Sequence, residues 1–256
     1  PVDKIPFLES IHKAQFKALP SGFKNLSASE IEQINKDPYA SPWMAQQEKG
    51  TRPASPLPYQ LYADGKLSDD GQTFKIKFAA GNEVFGASAA GSPFYVYMPE
   101  KDVAPRNYAV NAGDQLIDEW ALNANENYHL QVYGPNGFFR EFTGNGNDPA
   151  IDIALEYQRT AAAKKALTGN VEIKLRNTGK QKITVEVTDN AYKGKAQTKI
   201  INPGAQATLI ADLSKNSGWY DLSVKVKGQK DFEKRYAGRV ETGRISITDP
   251  VMGRMV

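Results

Sequence analysis

The chain has 256 residues, of which 40% are hydrophobic and 10% aromatic, and its formal net charge is +3. This composition is typical of one or two folded domains and excludes a largely disordered chain. Cysteine is absent, which excludes disulfides and thiolate chemistry, and no apolar run of about 18 residues predicts a membrane span. The chain begins PVDKIPF, without methionine or a signal peptide, which we interpret as the start of a fragment or a processed product.

Residues 1–56 are predicted to form a tail that is helical at first and then extended, and that docks on an upstream segment or on the first of the β-domains described below. Apolar residues recur at helical spacing in PFLESIHKAQFKAL, and Ser27 with Glu30 forms a capping-box pattern that predicts a second helix. Pro38 ends that helix, and the proline-rich stretch after it favours an extended chain. We expect Trp43, within this stretch, to be a docking contact that packs on a neighbour.

After the tail, apolar and polar residues alternate in short segments separated by turn signals. FKIKF, which begins at Phe74, shows the period of two that is typical of strands, and Asp64-Gly65 predicts a hairpin turn. Short strands with a turn signal every 8 to 12 residues or so predict antiparallel sandwiches. We therefore predict an all-β fold, with two tandem β-sandwich domains of about seven strands each at 57–148 and 149–256.

The two predicted sandwiches have similar sequence patterns, which indicates a duplicated domain. YHLQVYGPNGFFREFTG begins at Tyr128, and YDLSVKVKGQKDFEKRYAG begins at Tyr220. Both run aromatic, x, Leu, x, Val into a glycine-containing turn, and both end with an aromatic residue two positions before glycine. The alignment predicts that Tyr128 superposes on Tyr220 and Phe142 on Tyr236.

One phenylalanine of the first copy stands out in this alignment. Residues two apart in a strand share a face, so Phe138 and Phe142 are expected to point inward and Phe139 outward. The second copy has Glu233 where the first has Phe139. Phe139 is therefore predicted either to pack against the tail, under Trp43, or to be a docking or membrane-contact residue.

Charge is divided unequally along the chain. Residues 1–148 carry 13 basic and 18 acidic groups, whereas residues 149–256 carry 19 and 11. The basic half favours an anionic surface as a partner, or it is a solvated face that keeps the domain soluble.

The sequence contains no constellation that predicts catalysis. His12 and His129 are its two histidines, and neither belongs to a pattern of zinc ligands or of a hydrolase triad. Asp64, Asp69 and Asp70 are candidate calcium ligands, although turns are acidic in any case. We predict no catalytic residues, no cofactor and no nucleic-acid partner.

The run RYAGRVETGRISITDP, near the C-terminus, predicts a terminal hairpin. Gly238 and Gly243 would occupy turn positions, and Val240 would point inward with the isoleucines that follow it. Arg239 and Arg244 would then be exposed to solvent.

Three segments resemble one known family. SPWMAQQEKGTRPASPLPYQLYADG, YHLQVYGPNGFFREFTG and FEKRYAGRVETGRISITDPVMG are similar to the C-terminal part of bacterial phosphocholine-preferring phospholipases C, which are related to a group of acid phosphatases. In that family a large hydrolase domain carries the nucleophile and the metal ligands, and two copies of a small domain follow it. The resemblance therefore implies that this chain is the duplicated accessory region of a larger enzyme.

The resemblance also implies partners and a location. The chain would support the missing N-terminal catalytic domain of its own polypeptide and make a transient contact with a phospholipid membrane, in a secreted or periplasmic enzyme. By itself it would be inactive. The alternative is an independent secreted β-sandwich module that binds a glycan, a protein or a host surface.

Overall fold

The computed structural model describes residues 25–40, 48–123, 126–161 and 166–256. The chain divides into two compact units, Pro1–Glu48 and Lys49–Val256. None of the helices in the described ranges is long and apolar enough to cross a membrane.

The first unit contains the predicted capped helix. Helix α1 spans Ala28–Lys36 and begins after Ser27, whose hydroxyl accepts a hydrogen bond from the Glu30 backbone N–H. The Glu30 carboxylate in turn accepts the Ser27 backbone N–H at 2.8 Å, which completes the capping box. A short 3₁₀ turn begins at Pro38. The earlier predicted helix and Trp43 lie outside the described residues.

The second unit is built from strands. Their bounds are β1 Pro53–Ala54, β2 Leu61–Leu67, β3 Thr73–Ala80, β4 Ser92–Tyr97, β5 Arg106–Val110, β6 Gln115–Ala121, β7 Tyr128–Tyr133, β8 Phe139–Gly144, β9 Ile151–Arg159, β10 Leu167–Asn177, β11 Ile183–Asp189, β12 Gln197–Ile201, β13 Gln206–Ala211, β14 Trp219–Val226, β15 Glu233–Arg239 and β16 Ser246–Ile247.

The strands form two sandwiches that share one sheet. The first packs the three-stranded sheet β2-β3-β6 on β5-β4-β7-β8, and the second packs β9-β10-β13 on β12-β11-β14-β15. The two four-stranded halves are joined by β8 and β15 into a continuous eight-stranded sheet. The prediction of an all-β fold with two sandwiches of about seven strands each is confirmed.

Each sandwich encloses its own apolar core, because the alternating strands turn one face inward. In the first sandwich Phe74, Ile76 and Phe78 alternate with exposed residues and are fully buried. Val171 and Ile173 take the corresponding places in the second core.

The two repeats are related by an internal pseudo-twofold axis at the strands where they meet. β8 and β15 occupy equivalent positions in the two copies, and they pair antiparallel around Glu141 and Arg235. Leu130 pairs with Phe142 as Leu222 pairs with Tyr236, so the predicted superposition of Phe142 on Tyr236 is confirmed.

The same comparison confirms the predicted superposition of Tyr128 on Tyr220. Tyr128 pairs with Gly144, and Tyr220 pairs with Gly238 in the second copy. The equivalent edge strands β2 and β9 also lie side by side. A contact between equivalent elements resembles the self-complementary interface of a symmetric dimer, here within one chain.

The predicted hairpin turn at Asp64-Gly65 is wrong, because both residues lie within β2. A Cβ atom at Gly65 would lie 2.6 Å from the Phe74 ring and 3.1 Å from the Phe142 ring. This glycine therefore admits two aromatic rings into the core, and the turn comes later, where Gly71 has a φ of +68°.

The terminal hairpin is also wrong. β16 pairs with β1, so residues 49–54 of the predicted tail lie in the second unit with the C-terminal segment. Arg239 is 6% exposed instead of facing solvent, and Ile245 is 76% exposed instead of packing inward. Val240 is buried as expected, at 3% exposed. The domain boundaries at 57 and 149 remain predictions.

Candidate interaction surface

Four aromatic side chains lie together on the outer face of the first repeat's half of the eight-stranded sheet. This aromatic face consists of Tyr95, Tyr97, Tyr133 and Phe139. Tyr95 pairs with Tyr133 across β4 and β7, and Tyr133 pairs with Phe139 across β7 and β8. The ring centroids of Tyr97 and Tyr133 are 5.5 Å apart, and those of Tyr133 and Phe139 are 5.0 Å apart. The rings thus form one contiguous cluster.

The cluster is open to solvent over much of its area. Tyr95, Tyr97 and Tyr133 are each 41% to 43% exposed. Single exposed aromatic residues are ordinary, but a contiguous group marks an interaction surface. Tyrosine suits such a surface because its ring offers apolar area and its hydroxyl offers a hydrogen bond.

Phe139 lies where the aromatic face reaches the joint between the repeats. It is half-buried, pairs with Ala237 of β15, and has the Arg235 guanidinium 5.6 Å from its ring centroid. Phe138 and Phe142 are buried on the opposite side of the strand, at 4% and 0% exposed, so the predicted facing of all three rings is confirmed. The docking role of Phe139 remains a prediction, and its packing under Trp43 falls outside the described residues.

A polar group borders the aromatic face and is centred on Glu141. The Glu141 carboxylate accepts a hydrogen bond from Gln131 at 2.7 Å, and it lies 2.7 Å from Nε2 of His129. Nδ1 of His129 lies 2.9 Å from Glu100. Burial alone would lower the pKa of His129, but its hydrogen bonds to the two carboxylates raise the pKa above its usual value.

On the other side of the joint, Arg235 extends this polar group. Its guanidinium donates two hydrogen bonds to Asp221, each at 2.7 Å, and lies 3.8 Å from Glu141. Burial would raise the pKa of Asp221, but hydrogen bonds from Arg235 and Asn190 lower it overall. The result is a polar rim beside the rings in which Glu141, Arg235 and Asp221 are paired with one another or with their neighbours.

Two of the three acidic residues predicted as calcium ligands have other partners, and the third, Asp69, is exposed. Asp70 accepts hydrogen bonds from the Ser68 hydroxyl and the Gln72 backbone N–H, which lower its pKa. Asp64 accepts a hydrogen bond from the Leu155 backbone N–H of β9, and burial raises its pKa. Across the described ranges, no group of three or more acidic or histidine side chains is placed to hold a metal ion.

Two buried cations beneath the shared sheet were not predicted from the sequence. Arg140 is 1% exposed and Lys234 is 4% exposed, and the repeat alignment makes them equivalent residues. The alternation of the strand could have predicted this burial, because the period of two that turns Phe138 and Phe142 inward also turns Arg140 inward. The Lys234 ammonium donates to the Gly65 carbonyl of the other repeat, and burial lowers its pKa to about 8.

A buried ion pair lies where the sequence predicted an exposed arginine of a terminal hairpin. Arg239 lies 3.4 Å from Glu241, and their side chains are only 3% and 1% exposed. Asn136 of the first repeat donates to Glu241 at 2.7 Å, and Arg239 lies over the Trp219 ring. These contacts hold the chain against the body of the fold, so the following segment is free to pair with β1.

Comparison with known protein families identifies the repeat. The family described as bacterial phospholipase C, C-terminal domain, matches residues 53–145 and matches again at residues 151–239. The chain belongs to this family. Its two copies in one chain correspond to the two sandwiches.

Individual relatives agree with that assignment. The chain is 33% identical over 235 residues to a non-hemolytic phospholipase C of Pseudomonas aeruginosa, covering 88% of the chain and 32% of the relative. A non-hemolytic phospholipase C of Burkholderia pseudomallei is 35% identical, covering 84% and 30%, and a hemolytic phospholipase C of Pseudomonas aeruginosa is 34% identical, covering 80% and 30%. This member of the phospholipase C C-terminal domain family thus spans about a third of the length of the curated relatives that it matches.

Among solved structures, a red sea bream transglutaminase aligns with 91% of the chain and 34% of its own length, at 10% identity. Its TM-score is 0.24, which is too low to support any argument about the fold or function.

Proposed function

We propose that this chain is the non-catalytic C-terminal accessory region of a secreted or periplasmic bacterial phospholipase C. The parent enzyme would hydrolyse phosphocholine-type phospholipids, and this region would support its catalytic domain. The observation that carries the proposal is the double family match in a chain that spans about a third of its relatives.

The aromatic face is the surface that we assign to the catalytic region of the same polypeptide. Three contiguous tyrosines, each at least 41% exposed, leave apolar area in contact with water. The relatives have about two thirds of their length outside the matched part, which is chain enough to cover such a surface. The paired rim around Glu141 would supply the polar border that interfaces usually have.

The first test concerns activity. The purified chain is expected not to hydrolyse a chromogenic phosphocholine ester, with or without added divalent metal ions, because neither the motifs nor the described side chains supply a nucleophile with a base. Turnover would be measured before and after repurification. Activity that survives repurification and disappears on a point substitution in this chain would contradict the proposal.

The second test concerns the aromatic face. Phe139→Ser is expected to weaken binding of a separately expressed upstream region by about tenfold or more, because interface energy concentrates in aromatic anchors. Its half-buried ring should change the free energy of unfolding by only about 1 kcal/mol. Titration calorimetry and chemical denaturation would measure the two effects.

A matched control is Ile117→Ser, at a residue of β6 that is 59% exposed and lies in the other sheet of the same sandwich. Binding of the upstream region should be unchanged in this variant. If Phe139→Ser loses stability but not binding, the ring serves packing only and the catalytic region docks elsewhere.

A second candidate function is an independent secreted module that binds a glycan, a protein or a host surface. The exposed row of tyrosines favours it, since flat aromatic rings with hydroxyl groups can stack on a ligand and hydrogen-bond to it. Glycan-array binding that is lost in Tyr133→Ser, together with no binding of the upstream region, would support this candidate instead.

A further inference from the structure

One end of the second repeat carries a group of exposed lysines in its turns. The three turns at this end connect β10 to β11, β12 to β13 and β14 to β15. We call them the basic tip; they comprise residues 178–182, 202–205 and 227–231. Their charged residues are Lys180, Lys182, Lys227, Lys230 and Asp231, and all five are exposed.

The basic tip is held together by backbone and side-chain hydrogen bonds. Asn177, which is fully buried, donates its side-chain amide to the carbonyl oxygens of Gln181 at 2.7 Å and Ile201 at 3.0 Å. The Gly204 N–H donates back to the Asn177 carbonyl at 2.9 Å. These bonds fix two of the turns against each other, so the lysines project from a defined surface.

The four lysines carry charge that the protein does not neutralise. The ion pairs of this repeat use other lysines, such as Lys174 with Glu172 and Lys225 with Glu233. Within the part of the chain that the structure describes, none of the four has a carboxylate within 4.0 Å. The tip therefore has a net charge of +3, from four lysines and one aspartate.

The fold itself does not require this charge. The equivalent turns of the first repeat are residues 81–91, 111–114 and 134–138, and they contain Glu83 and Asp114 but no lysine or arginine. The same architecture thus has a net charge of −2 at one tip and +3 at the other. A general need for solubility would not place the two signs so differently.

An exposed apolar residue lies in β12, two positions before one of these turns. Ile200 of β12 is 62% exposed and pairs with Thr184, whose carbonyl accepts the Lys227 backbone N–H at 2.9 Å. A soluble polyanion would neutralise the lysines but leave the isoleucine in water. A lipid surface takes up both, with the ammonium groups at the headgroups and the apolar side chain at the acyl boundary.

We propose that the basic tip binds the surface of an anionic phospholipid membrane. This inference rests on the proposed function, to which it adds a lipid contact, yet it uses neither the aromatic face nor the upstream region. Each lysine near an anionic surface strengthens binding by about fivefold, so the four together should contribute at least about 100-fold.

The test uses the full 256-residue chain and vesicle sedimentation. Phosphatidylcholine vesicles that contain phosphatidylglycerol should bind the chain, and pure phosphatidylcholine vesicles should bind it far less. Binding should be lost at about 1 M salt, where the Debye length is about 3 Å. Replacing Lys180, Lys182, Lys227 and Lys230 with glutamine should lower the partition coefficient by about 100-fold or more.

The matched control replaces Lys193, Lys195, Lys215 and Arg244 with glutamine, four exposed basic residues of the same repeat that are not at the tip. It should retain most of the binding. Equal losses in the two variants would overturn the proposal, because net charge alone would then explain the binding.

A single substitution separates a membrane from a soluble polyanion. Ile200→Asn keeps every charge and should weaken vesicle binding several-fold while leaving binding to heparin unchanged. If it alters neither while heparin binds more tightly than the vesicles, the partner is a soluble polyanion and the lipid assignment is wrong. Either result leaves the docking of the upstream region to be judged by its own titration.

Discussion

Replacing Arg140 with alanine is expected to lower the free energy of unfolding by about 3–5 kcal/mol, because it removes a buried, hydrogen-bonded cation and leaves a cavity. Its Nη1 donates to the carbonyl oxygens of Phe139 and Ala237, each at 2.8 Å. Its Nη2 donates to the Tyr220 hydroxyl at 3.1 Å. One side chain therefore ties β8 of the first repeat to β15 and β14 of the second.

The Arg140→Ala substitution would remove more stabilising contacts than those three hydrogen bonds. The guanidinium carbon lies 4.0 Å from the Phe138 ring centroid, so the methylene groups and the charge both fill core space. Burial raises the pKa of Asp64, and the positive charges of Arg140 and Lys234 act against that rise. Without Arg140, the Asp64 carboxylate at the joint would be compensated by Lys234 alone.

Chemical denaturation followed by circular dichroism would measure the effect. Lys75→Ala is the control, since Lys75 and Glu119 form an exposed pair in which each side chain is about half exposed. Such pairs contribute at most about 1 kcal/mol. A loss below about 1 kcal/mol for Arg140→Ala would mean that the joint between the repeats does not depend on this cation.

The sequence predicts the faces of the strands well, because alternation is a local property. Phe74, Ile76 and Phe78 are buried as their period of two requires. The capping box at Ser27 is likewise contained within four residues. Inward facing and the start of the helix could therefore be predicted, because neighbouring residues determine them.

The aromatic face could not be predicted in the same way. Tyr95 and Tyr133 come from β4 and β7, which lie side by side only because the chain crosses between the two sheets. Alternation shows that each tyrosine points outward, but it does not show which strand will be its neighbour. The pairing of β8 with β15 is a still longer-range property, since Phe139 and Ala237 are 98 residues apart.

The buried charges show a conflict between two sequence rules. Lys234 lies midway between the inward Phe232 and Tyr236, so its position in the strand predicts burial. Lysine is nevertheless almost never buried without a partner, which predicts exposure. The conflict is resolved only by the other repeat, because the Gly65 carbonyl that accepts the ammonium belongs to it.

Lys234 should make the protein more stable as the pH rises above neutrality. Burial lowers its folded-state pKa to about 8, whereas an unfolded lysine titrates near 10.4. Below pH 8 or so the lysine is charged in both states, and the cost of burying that charge is fully present. Between about pH 8 and 10.4 the unfolded chain binds more protons than the native one, so stability increases with pH.

The charged and titratable groups around Lys234 determine the pH range in which its effect on stability can be measured. Asp64, Asp148 and Asp152 act to raise its pKa and Lys66 acts to lower it, but burial is the largest cause. The buried Tyr236 has a raised pKa, so its effect is to reduce stability as the pH rises through about 10, where unfolded tyrosine is half ionised. The window from pH 8 to 9.5 therefore isolates the lysine.

The experiment compares the wild type with Lys234→Met, which keeps the volume but cannot titrate. From pH 8 to 9.5 the free energy of unfolding of the wild type should rise by about 1.5 kcal/mol relative to the variant, because the slope grows from about 0.7 kcal/mol per pH unit at the folded pKa towards about 1.4 kcal/mol per unit above it. Lys75→Met is the control. The Lys75 pKa is raised by its bond to Glu119, so its contribution is fully present below about pH 10 and should stay constant across the window. Parallel pH profiles for the wild type and Lys234→Met would show that the ammonium is solvated in the native state, and that the joint between the repeats admits water.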